Sequence, residues 1–231
     1  MYNSNETERQ ITIDLIRELI KDKYIKKNDI KKIISDYSIS SQEEERIKME
    51  EWYKTLGIER ITKKPFYLSP PYFTDKEMQE IEEKNEFLLC LPAGLTAKDL
   101  SILFNMPSWV CNSSLVSQFP ETEDLWFAVS KNKEPEYLDR TCYEGMRMCK
   151  KNGKLNMSLE RYMVFCAYIY KITEKFPDQE YKVWLPNTRY EEKSMLIAGI
   201  NSEGEFAAHC WLPQFHSPKV GVRYVRIAEH L

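Results

Sequence analysis

Apolar positions recur at helical spacing early in the chain and at strand spacing late in it. Over residues 6–24, Ile11, Leu15, Ile16, Leu19 and Ile20 form one stripe and acids fill the other face, which predicts an amphipathic helix. A lysine-rich elbow follows, and Asn28 then reads as the N-cap of a short helix with Ile30, Ile33, Ile34 and Tyr37 inward. Ser41-x-x-Glu44 has the form of a capping box. Ile47, Met49, Trp52, Tyr53 and Leu56 make the apolar side of the third helix it opens, and Gly57 stops it. Residues 1–62 are therefore expected to form a helical N-terminal unit.

The pattern changes at Lys63–Phe73, where Pro65, Pro70 and Pro71 interrupt aromatic residues and mark a boundary. Beyond it, residues 63–231 read as an α+β domain. Thr74 caps a helix over Asp75–Lys84. Glu86–Leu91 is a short apolar strand, Pro92-Ala93-Gly94 its turn, and Thr96 caps a helix to Phe104. Asp124–Ser130 is a second buried strand, and Glu136–Asn152 a helix with Leu138, Cys142, Met146 and Cys149 on one face. Ser158 opens a long helix to Phe176 that is apolar on most sides, and such a helix belongs at the centre of a domain. Ser194–Ile200 and Glu205–Leu212 flank Asn201-Ser202-Glu203-Gly204, a hairpin signal. Val220–Ile227 reads as a third strand, with Val220, Val222, Tyr224 and Ile227 inward and Gly221, Arg223 and Arg226 outward. The expected class is α+β: a three-helix unit, then a mixed domain whose C-terminal antiparallel hairpin sheet packs on the long buried helix.

Charge narrows the function classes. The 231 residues carry a formal net charge of −3, which gives no electrostatic footprint for nucleic acid or an anionic membrane. Leu95–Leu115 has the cadence of a helix-turn-helix, but residues 106–118 contain no Lys or Arg to meet phosphates. A strand–helix passage inside the core is the favoured reading of that segment, and a DNA-binding regulator the alternative. No apolar run approaches a membrane span, and the opening MYNSNETERQ lacks the apolar core of a signal peptide. A cytoplasmic location is expected, with Cys90, Cys111, Cys142, Cys149, Cys166 and Cys210 reduced and none in a C-x-x-C pair.

Candidate chemistry gathers near the C-terminus. Cys210 and His216 are the one Cys–His combination with workable geometry for a thiolate nucleophile, since adjacent strand residues His209 and Cys210 point to opposite faces. No glycine-rich oxyanion turn, Walker loop, G-x-G-x-x-G, H-E-x-x-H or G-x-S-x-G is present. Trp184, Arg189, Tyr190, Trp211, His216 and Arg223 read instead as an aromatic-lined cleft with cationic groups. It suits a small anionic or planar ligand, or a protein partner adding a strand to a sheet edge. The expected function is a non-enzymatic binding or interaction protein needing no cofactor and no metal. A cysteine-dependent enzyme using Cys210 and His216 is the alternative of a different class.

Four local matches carry a resemblance. Phe87-Leu-Leu-Cys-Leu-Pro92 with Leu95-Thr96, Asp124-Leu-Trp-Phe-Ala-Val129, Gly153-Lys-Leu-Asn-Met-Ser-Leu-Glu160, and Thr188-Arg189 followed by Cys210-Trp211-x4-His216 occur in that order from about residue 65 onward. Together they resemble a family of uncharacterised bacterial proteins known only as a domain of unknown function. The resemblance implies an α+β fold and brings no activity with it. Ser217-Pro-Lys-Val-Gly221 departs from that family's Gly-Ser-Cys type ending.

Overall fold

A computed structural model describes residues 40–117, 120–191 and 193–228. The helices expected over 6–24 and 28–37 lie outside the described residues. One compact unit begins at Ser41. It opens with α1 (Ser41–Thr55), α2 (Ile58–Thr62) and α3 (Asp75–Glu83), followed by β1 (Glu86–Leu91), α4 (Ala97–Leu103) and β2 (Leu125–Ser130). Then come α5 (Cys142–Lys151), β3 (Leu155–Asn156), α6 (Leu159–Thr173), β4 (Lys182–Tyr190), β5 (Ser194–Ile200), β6 (Phe206–Trp211), β7 (Val220–Gly221) and β8 (Tyr224–Val225). The class is α+β, as the periodicity predicts. Among the described residues no helix is long and apolar enough to cross a membrane.

Local chemistry sets several boundaries. Thr74, Thr96 and Thr141 each accept a hydrogen bond from the backbone N–H three residues on. The acid at that position, Glu77, Asp99 or Glu144, bonds back to the threonine N–H, so two orphan helix donors are met at each start. In the hairpin turn, Asn201 Oδ1 accepts from the N–H groups of Glu203 and Glu205, and Gly204 takes φ 81°. α5 starts at Cys142 rather than at Glu136. Residues before it are committed elsewhere: Glu136 bridges Val222, while Tyr137 and Asp139 sit at φ 50° and 57°.

α6 is the centre of the domain. Leu159, Tyr162, Met163, Val164, Phe165 and Cys166 are fully buried. The helix packs against α4, β1 and β4. Each buried apolar side chain of this size contributes about 1.5–3 kcal/mol. β1 and β2 pair antiparallel, and the larger sheet has the order β6-β5-β4-β7. The larger sheet is covered on both faces. Val183, Leu185, Leu196, Ala198 and Ile200 join the main core with α6. The alternate residues Trp184, Met195 and Ile197 join a second core with Cys142 and Cys149 of α5.

β4 is a central strand although it contains Pro186, which sits where the ladder is broken and no N–H is required. The C-terminal strand expectation is corrected. Residues 220–227 are not one strand. Val220–Gly221 pairs parallel with β4, Val222 bridges Glu136, Tyr224–Val225 pairs with β3, and Arg226 bridges Ala128. Each handover resets the alternation, so Arg223 and Arg226 turn inward. The segment after α4 forms one 3-10 turn, Trp109–Cys111, with Val110 and Cys111 buried, where the alternative DNA-binding reading would place a recognition helix.

Candidate functional site

The break in β4 builds a cleft. Leu185 faces Leu196 and Arg189 faces Met195, so Pro186, Asn187 and Thr188 loop out between two adjacent positions of β5. Thr188 is buried, and its hydroxyl accepts from Leu159 N at 3.4 Å, which ties the loop to the first turn of α6. On the other side, Ser117 N donates to Arg189 O at 3.0 Å and Arg189 N donates to Ser117 Oγ at 2.9 Å. The loop, the 114–117 segment and the start of α6 enclose about 750 Å³.

Two ionisable side chains at the start of α6 are buried in its wall. Arg161 is 8 % exposed. Its Nη2 donates to Glu121 Oε1 at 2.8 Å and its Nη1 to Asn156 O at 3.2 Å. Among the described residues its Nε–H has no acceptor, and the Oδ1 of Asn156 has no donor. Native interiors seldom leave such groups unmet. Glu160 is equally buried, and burial pushes its carboxyl above the usual range, against the pull of its own N–H, the Ser158 hydroxyl and Arg161. Arg189 stands exposed at the mouth and makes no ion pair with any described residue.

The residues singled out from sequence do not share one cleft. Arg189 lines the cleft described above, and Tyr190 lies next to it, edge-on to Trp109 with centroids 5.8 Å apart. Trp184 is buried in the second core, edge-on to Trp211 at 6.1 Å, with its Nε1 donating to Arg140 O. His216 is exposed and its Nδ1 meets Asp139 Oδ1 at 2.8 Å. Cys210 pairs with Leu196 in the sheet and leans on the main core, whereas Trp211 leans on the second. No hydrogen bond joins Cys210 to His216 among the described residues, and burial raises the Cys210 thiol. Arg223 is fully buried beneath other residues, bidentate to Asp178 through Nε and Nη2 at 2.8 Å each.

Sequence reasoning missed Arg161, Glu160 and Thr188. The visible signal was Ser158-Leu-Glu-Arg161, an N-cap followed by a charged pair immediately before the apolar run Tyr162–Tyr170. Among the described residues no group of three or more His, Cys, Asp or Glu is placed to hold a metal ion. No family model matches the chain, and neither a curated protein nor a solved structure matches it.

Proposed function

We propose that the protein is a non-enzymatic binding protein whose ligand is a small molecule with an anionic group, held in the cleft between the β4 loop and the start of α6. The observation that carries this reading is Arg161. It is a buried guanidinium in the cleft wall, neutralised by Glu121 yet left with a donor that no described residue meets. An unmet buried donor costs about 1–3 kcal/mol, and a ligand acceptor removes that cost on binding. Arg189 supplies the planar fork that recognises a carboxylate or phosphate at the mouth. Cytoplasmic residence belongs to the same proposal and is supported by six cysteines that form no disulfide among the described residues. The cysteine-enzyme reading draws less support, because His216 is engaged by Asp139. So does the DNA-binding reading, because a single 3-10 turn replaces the recognition helix.

The test is a thermal-shift screen against small carboxylates and phosphates, followed by calorimetry on the hits. A ligand at one hundred times its Kd adds about 2.7 kcal/mol to stability. That gain should be lost in Arg189→Ala, whose unliganded melting should match wild type because Arg189 is exposed. A panel without a single hit, or hits equally strong in Arg189→Ala, would overturn the proposal.

A further inference from the structure

A second cleft opens at the other end of α6. The helix runs fifteen residues, about 22 Å at 1.5 Å per residue. Phe165, Ile169 and Thr173 along its later turns help enclose about 630 Å³ with Phe87 and Phe176. The floor is therefore largely phenyl and aliphatic. Beneath it lies Arg223, 0 % exposed, with its guanidinium carbon 4.8 Å from the Phe165 ring centroid. Its Nη2 donates to Asn132 O at 2.9 Å as well as to Asp178, and Phe165, Asn132 and Asp178 all line the cleft. Nη1 has no partner.

The rim is cationic on a chain that is acidic as a whole. Lys131, Lys133 and Lys175 are exposed around the opening. Lys131 Nζ rests over the Phe87 ring, 4.8 Å from its centroid, while Lys133 and Lys175 have no ion-pair partner among the described residues. Of the three acids lining the cleft, Asp178 is neutralised by Arg223; Glu134 accepts from the Tyr181 hydroxyl and keeps its charge, so Glu134 and Glu180 stand against the three lysines and leave a net positive rim.

We infer that this cleft binds an amphipathic organic anion, an aromatic body carrying one acidic group. The body lies on Phe87, Ile169 and Phe176, where burial of apolar surface supplies the affinity. The acidic group meets Lys133 and Lys175, with Lys131 free to turn from the Phe87 face toward it. The inference does not depend on the first cleft, since no residue lines both.

Anilinonaphthalene sulfonate is the probe, because its fluorescence reports an apolar contact and its sulfonate supplies the charge. Titration of the folded protein at low salt should saturate at one site, and added salt should weaken it. Lys133→Glu combined with Lys175→Glu should weaken binding about tenfold, equivalent to about 1.4 kcal/mol, with unchanged thermal melting because both lysines are exposed. An uncharged anilinonaphthalene should bind at least about tenfold more weakly than the sulfonate. Arg189→Ala should bind the probe as wild type does. Unsaturable binding, equal affinity in the double variant, or equal affinity for the uncharged analogue would overturn the inference.

Discussion

Asp178→Asn is the most informative single perturbation of this fold. Asp178 and Arg223 form an ion pair in which both side chains are 0 % exposed. The carboxylate accepts twice from the guanidinium and once from the Tyr162 hydroxyl, at 3.0 Å. Asparagine keeps the shape but removes the charge, and it turns an amide N–H₂ or a weaker acceptor toward a fixed donor. The guanidinium is then buried without compensation, which costs about 3–5 kcal/mol. In a unit of this size each kcal/mol moves the melting midpoint by about 2–4 °C, so the variant should melt about 6–20 °C below wild type. Circular dichroism melting and urea titration at neutral pH measure it. A second substitution separates loss of charge from loss of shape. Adding Arg223→Met removes the stranded charge and leaves Phe165 an apolar neighbour in place of the cation it now faces at 4.8 Å. The double variant should recover at least about half of the loss. Asp178→Asn melting within about 2 °C of wild type, or a double variant no more stable than the single, would refute the argument that this pair is buried and mutually dependent.

Gly145→Ala should destabilise by about 1–3 kcal/mol although alanine favours helix, because a Cβ there would overlap Val222 Cγ2. Urea midpoints equal to wild type would show that α5 does not press on Val222. Glu160 carries a pH signature. Burial holds its carboxyl above the ordinary 4.5, so its protonated form favours the fold. That contribution is full below the ordinary value and lost as pH rises through the raised one. Glu160→Gln should therefore gain more over wild type at about pH 7 than at about pH 4, and an equal difference in melting at the two pH values would sink this placement. Cys210, whose thiol burial raises, should react with iodoacetamide at neutral pH more slowly in the native protein than after unfolding. Native labelling faster than a free thiol, read by mass spectrometry, would revive the nucleophile.

The sequence alone determined whatever depends on neighbours three or four residues away. The caps at Thr74 and Thr96, the Asn201–Gly204 turn, the apolar strands β1 and β2 and the apolar circumference of α6 all follow from local hydrogen bonding and periodicity. Tertiary structure decided where charges go. Arg223 and Arg226 read as outward residues of a C-terminal strand, but their partners lie far away in the chain: Asp178 at a separation of 45 residues, and Glu86 and Glu80 at 140 and 146. A guanidinium is expelled or buried according to whether a carboxylate waits for it, and no local pattern contains that carboxylate. The first cleft has the same origin. It exists because the 114–117 segment bonds to Arg189, 72 residues on, and because Arg161 reaches Glu121 across 40. The loop at Pro186 becomes a wall of the cleft only through Thr188 anchoring it to α6. Periodicity records which side of an element avoids water. Which polar groups meet once those sides are packed is a property of the whole chain closing on itself, and it is there that both clefts are made.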